Sequence, residues 1–321
     1  MKSFLVSGFL ILALTLVTNT SWADTAVSMT TAEYDALMAK ISNAGRWGAD
    51  DELGTLNNIT PARSAAAAAL VTQGISVSLS LEIDKVKSPL NENPLEHQLY
   101  TALFAGHEVA GDTYSVTYHG TAHSHLDGLA HWAYKGHFYN NVPYAVAKPT
   151  GAEKLGVQNI GERGVVSRGV LIDMPRHFGK EWLEPGYAIT IADFEAWEKD
   201  NDVTIGAGDV LLVRTGRWLV TPTGAFAGLH ASTIAWLKER DVAMLGCDGV
   251  SDVVPSGVED VVNPVHTLVI AGLGMPMMDN LGLEAVAAEA VKQKRSTFLF
   301  MAAPLRIPGG TGAPINPLAV F

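Results

Sequence analysis

The chain has 321 residues, of which 48% are hydrophobic and 17% charged, with a formal net charge of −11 and a single cysteine. That balance argues against disorder, and against nucleic acid as a partner, since no basic stripe exists to neutralise phosphates. One cysteine excludes an internal disulfide, leaving packing and metal to supply stability. At the N-terminus, Lys2 precedes the apolar run Phe4–Val17 and the small-residue site Ser21-Trp22-Ala23. This reads as a signal peptide over 1–23, so the expected location is periplasmic or secreted, with no membrane attachment after cleavage. Residues 24–321 show no linker-like shift in composition and are assigned one catalytic domain.

The predicted elements alternate along the chain. Thr60 caps a helix that starts at Pro61, and Ile75–Ile83 alternates as a half-buried strand. Residues 85–111 read as an irregular excursion, a candidate lid, and strand-like spacing returns over Asp112–Asp127. Strands follow at Gly169–Asp173, Val210–Val213, Val242–Gly246 and Thr297–Phe300. Helices are expected at Ile191–Lys199, Ser232–Arg240, Val265–Ala271 and Leu283–Lys294. Such alternation predicts α/β layering around a largely buried sheet.

Five of the ten histidines fall between His119 and His137, in the run His119-Gly-Thr-Ala-His-Ser-His-Leu-Asp-Gly-Leu-Ala-His131. If that run is a strand, His119, Thr121, His123, His125 and Asp127 project to one side. Imidazoles and a carboxylate converging on one face suit a divalent metal, Zn²⁺ or Mn²⁺. Gly128 permits a turn that brings His131 back over the same site. There it is placed to shuttle protons to and from metal-activated water, with a pH limb near the ordinary imidazole value. The implied chemistry is attack on a carbonyl. Trp47 and Trp132 are the candidates for stacking on an aromatic or cyclic small-molecule substrate, and His230 for a further group at the site. Cys247 reads as a buried structural thiol, and Asp248 and Asp252 as turn carboxylates, with orientation of the metal-binding side chains as the alternative.

His125-Leu-Asp127 and His131 resemble the hallmark His-x-Gly-Thr-His-x-Asp-x-Pro-x-His of the cyclase superfamily, which includes bacterial kynurenine formamidase and isatin hydrolase. Arg46–Asn57, Gly246–Gly249, Val265-His266, Met278–Leu281 and Gly309–Pro314 are similar to further blocks of its longer branch. The resemblance implies a swivelling β/β/α-type fold with a mixed sheet and flanking helices. It implies hydrolysis of a cyclic imide or amide, an aryl formamide or a lactone, and a homodimer or homotetramer. By the same resemblance His125 and Asp127 bind metal, His131 transfers protons, and His266 and Asp279 complete the site, with aspartate where the family usually has glutamate. Thr121 stands where the family has its first histidine, and the sequence expectation is that His123 substitutes as ligand, with His119 as the fallback. Two other readings compete: a non-haem Fe(II) oxygenase built on His125, Asp127 and His266, and a periplasmic metal-binding protein without catalysis.

Overall fold

The computed structural model describes residues 29–220 and 224–321, so the signal peptide expected over 1–23 lies outside the described residues. A nine-stranded mixed sheet forms the centre. Its strands in chain order are β1 (Ser76–Ser78), β4 (His125–Asp127), β5 (Val165–Asp173), β6 (Val210–Arg214), β7 (Met244–Cys247), β8 (Met277–Asp279), β9 (Thr297–Ala302), β10 (Gly312–Pro314) and β11 (Leu318–Val320). Across the sheet they run β1-β11-β9-β5-β6-β7-β8-β4-β10. The middle, β5 to β8, is parallel, and antiparallel strands extend it at both sides. A separate hairpin pairs β2 (Glu96–Phe104) with β3 (His107–Ser115).

The parallel strands read as unbroken apolar runs because both faces are covered. Val170, Ile172, Leu211, Val213 and Leu245 point to one core, shared with helices α1 (Thr31–Ile41), α3 (Ile191–Asn201) and α4 (Thr233–Glu239). Leu171, Val210, Leu212 and Met244 point to the other, shared with α5 (Glu284–Gln293), while α2 (Pro61–Ala68) lies against β5 and β9. Helix starts follow the local chemistry: Thr60 accepts from the Arg63 amide ahead of Pro61, and Thr190 with Asp193 forms a capping box.

Two expectations fail. Residues 85–111 are not wholly irregular, since β2 and β3 form a regular antiparallel hairpin. Strand structure is not continuous to Asp127 either, because 116–124 leave the strand, with bends at 119–123, and pairing resumes only at His125.

Candidate metal centre

β4 is short, buried and clamped on both sides. Met277 pairs with Asp127 and Asp279 with His125 on one edge, Gly312 with Asp127 and Pro314 with His125 on the other. Alternation sends Leu126 into the core, while His125 and Asp127 emerge together on the opposite face. Directly paired residues share a face, so β8 delivers Asp279 beside His125. The clamp requires glycine at 312, where a Cβ would stand 2.2 Å from the Leu126 carbonyl oxygen and 3.0 Å from the His119 ring.

Asp127 is the hub. It is 1% exposed, and neither carboxylate oxygen accepts a hydrogen bond. Four imidazoles surround it. His119 Nδ1 lies 2.8 Å, His125 Nε2 3.4 Å and His131 Nε2 3.6 Å from Oδ1, and His266 Nε2 lies 3.6 Å from Oδ2. His119 Nδ1, though close, approaches at an angle that makes no hydrogen bond. Burial by itself would raise the Asp127 pKa, but the imidazoles, His125 foremost, outweigh it and hold the carboxyl well below the usual carboxylate range.

The other ring nitrogens are spoken for. His125 Nδ1 donates to the His123 carbonyl at 2.8 Å, and His119 Nε2 lies 3.1 Å from the Thr311 hydroxyl. His266 Nδ1 meets Asp252 Oδ2 at 2.5 Å, while its Nε2 lies 3.0 Å from Asp279 Oδ2. Asp279 in turn accepts from Ser251 Oγ at 2.7 Å. Fixing one imidazole nitrogen leaves the other aimed as a ligand, the usual arrangement around protein-bound metals. Donor atoms of His119, Asp127 and His131, and of His125, Asp127 and Asp279, form two groups lying within 4.8 Å of one another. The orphaned His119 Nδ1 and Asp127 oxygens, together with this imidazole–carboxylate donor set, fit a divalent cation.

His123 is not among them. The bends at 121–123 break the alternation, so its buried ring turns toward Asn93 and Asp84, and His119 comes to Asp127 instead. The expectation that His123 joins His125 and Asp127 is therefore not met by the geometry, and His119, the fallback, stands beside Asp127 in its place. His123→Ala is expected to keep full metal occupancy and His119→Ala to lose metal, as elemental analysis of the two variants would show.

His131 stacks on His119, ring centroids 3.7 Å apart and 7° from parallel. These two are the open side of the cluster, with side chains 24% and 25% exposed, where His125 and His266 are buried. Burial pushes the His131 pKa down to about 4, with Asp127 opposing. Trp132 stands at the same opening, 6.0 Å from the His131 ring and 5.2 Å from His266, its indole N–H buried without an acceptor. Trp47 is elsewhere, half-buried against the core beneath the Arg46 guanidinium. His230 is fully buried and bonded to Ser232, just after Leu229, which bridges to Asp252. Cys247 is a buried thiol whose pKa burial raises well above normal.

Asp252 does more than a turn carboxylate. It caps the helix at 264–266 through the Val265 amide and holds His266 at the same time. Ser251 was not singled out at all. Both sit on a loop where Ser251 adopts a positive φ of 57°, and the later β8 end places Asn280 at 54°. A non-glycine residue held in that conformation is a recurrent mark of functional sites.

With this geometry in place, the comparisons define the class: the chain belongs to the Cyclase family, which matches residues 75–252. A structure described as that of a novel cyclase is 31% identical, covers 88% of this chain and 99% of its own, and superposes with a TM-score of 0.80. Isatin hydrolase A from Ralstonia solanacearum is similar in fold at 22% identity and a TM-score of 0.57, over 82% of this chain and 98% of that one. The same enzyme from Labrenzia aggregata, bound to benzyl benzoate, gives 22% and 0.53 over 80% and 96%. No curated protein matches the chain.

Proposed function

We propose that the protein is a metal-dependent hydrolase that opens a carbon–nitrogen or ester bond in a cyclic imide or amide, an aryl formamide or a lactone. One observation carries the reading: a buried carboxylate, Asp127, accepts no hydrogen bond yet stands 2.8–3.6 Å from four imidazole nitrogens. The imidazoles that offset the burial of this anion are themselves metal ligands by chemistry, and a divalent cation shared among them would neutralise it further. His119, His125 and Asp127 would hold the ion, with Asp279 and His266 able to complete its shell or hold a second one. Zn²⁺ or Mn²⁺ suits these nitrogen and oxygen donors. When bound, such an ion supplies Lewis acidity to a carbonyl and lowers the pKa of water.

The chain's own residues supply the rest. His131, neutral and on the open side, accepts a proton at its free nitrogen and returns it to the leaving group. Trp132 offers a flat apolar face and one N–H donor to a substrate entering there. Asp252 fixes the tautomer and tilt of His266. Asp252→Asn is accordingly expected to weaken metal affinity about 10–100-fold, read by competition with a chelator of known affinity. Unchanged affinity would remove Asp252 from this role.

The isatin hydrolase names of the similar structures make cyclic imides and amides the first substrates to try. Elemental analysis followed by a panel of cyclic imides, formamides and lactones tests the reading, since hydrolysis adds one water to the product mass. Protein that holds no divalent metal, or loaded protein that adds water to none of the three classes, refutes it.

A further inference from the structure

A second cavity opens away from the metal centre. β9 begins at Thr297, opposite Val170, while β5 runs on to Asp173, so the last residues of β5 leave one edge uncovered. α3 and α5 pack on opposite faces of the sheet and both reach that gap, around a cavity of about 550 Å³. This is the size of a small-molecule pocket, and open α/β sheets hold their ligands at the carboxyl ends of strands. Three strands, β6 to β8, separate β5 from β4, which sets the cavity about 19 Å from the metal centre across the sheet.

Its wall is cationic in a chain whose net charge is −11. Arg176 and Lys294 line it, exposed, and their side chains have no partner among the described residues. Arg295 is held in place beside them. Its Nη1 donates to the Leu70 carbonyl at 2.7 Å and its guanidinium lies over the Phe321 ring, yet Nη2 is buried without an acceptor. A buried donor left unmade is costly, and an oxyanion is the acceptor that a guanidinium takes best. The two acids of the wall are already engaged: Asp173 accepts from Arg214 Nη1 at 2.7 Å, and Asp200 lies 3.5 Å from His177 Nδ1. Leu171, Trp197, Val203 and Val291 make the rest of the lining apolar in part.

We propose that this cavity binds a small organic anion, its carboxylate or phosphate held by Arg176, Lys294 and Arg295 and its apolar body against Trp197 and Val203. Arginine takes two oxygens of such a group at once, and lysine adds a mobile point charge. A neutral molecule of the same shape would leave all three cations without a counter-charge. The proposal is independent of the chemistry at Asp127.

Isothermal titration calorimetry on the metal-loaded protein is the test, with benzoate and phenyl phosphate as probes and benzyl alcohol as their neutral counterpart. At least one of the two anions is expected to bind saturably, the tighter of them naming the oxyanion, and benzyl alcohol is expected not to bind. Arg176→Gln/Lys294→Asn should weaken that binding by about tenfold or more, with the wild-type circular dichroism spectrum and metal content retained. Both side chains are exposed, and Asn tolerates the positive φ of 53° at position 294. An anion held by the metal instead would bind the double variant as tightly as the wild type. Crystals soaked in the 4-bromo form of the bound anion give a readout that needs no variant, since the anomalous peak of bromine should lie in the cavity beside Trp197. Binding of neither anion, equal binding of benzyl alcohol, unchanged affinity in the double variant, or a bromine peak only outside the cavity overturns the proposal.

Discussion

Asp127→Asn is expected to abolish metal binding and hydrolysis together and to lower the stability of the metal-free fold at neutral pH. The replacement keeps shape and volume but removes the negative charge on which four imidazoles converge. In the metal-free wild type the imidazoles hold that carboxyl well below the usual range, so removing its charge also costs the apo fold stability. In the loaded protein it is the one group common to both donor clusters. Divalent metal at about 100 times its dissociation constant should stabilise the wild type by about 2.7 kcal/mol, visible as a rise in Tm. The variant should show no rise. A metal-dependent rise in Asp127→Asn equal to that of the wild type would refute the assignment of Asp127 as the hub.

His131→Ala is expected to retain its metal while kcat falls by about 10²–10⁴. The residue lies in the turn after β4, where its amide donates to the Gly128 carbonyl, and it leans on His119. Its Nε2 stands at the outer end of the Asp127 distances, on the side open to a substrate. Loss of a group that moves protons slows turnover, whereas loss of a direct ligand such as His125 lowers occupancy as well. Burial holds His131 near a pKa of about 4, and a bound cation would push it the same way. The rate profile should therefore carry no limb from His131 near the ordinary value of about 6.5, contrary to what the isolated motif suggests. Metal content beside single-turnover rate for His131→Ala and His125→Ala decides it. A metal-free His131→Ala makes His131 a ligand.

What was legible in the sequence follows from how local each cue is. The central strands and their helices carry strong periodicity and capping residues, and Thr60-Pro61 and Thr190 mark their helices where expected. The hairpin gave no such cue, because with neither face buried it lacks the alternation that burial imposes. Its turn is also atypical: Ala105 and Gly106 both take positive φ, at 48° and 85°, in a place where Asn-Gly is the usual signal. His123 and His119 exchanged places for a related reason. Alternation is a property of paired strand, and pairing covers only His125–Asp127. For Asp252 the sequence offered a supporting role at the site only as the lesser alternative to a turn, because its partner, His266, is reached only through the folded loop between them. His266 and Asp279 were carried by the resemblance, and β8 and the helix at 264–266 bring both to Asp127.

The clamp on β4 also sets the order in which the molecule can be finished. One of its two edges is β10, residues 312–314, and β11 at 318–320 fills the gap between β1 and β9. His119 leans on Thr311, and Gly128 bonds to the same residue's carbonyl. A nascent chain thus carries its histidines long before it has the segment that holds them in place. Until synthesis reaches residue 320 the sheet stays open at two points and the histidine run has one free edge. The clamp around the histidine run therefore closes only once residues 311–320 are in place. A chain stalled short of residue 311 would present the same side chains without the pocket.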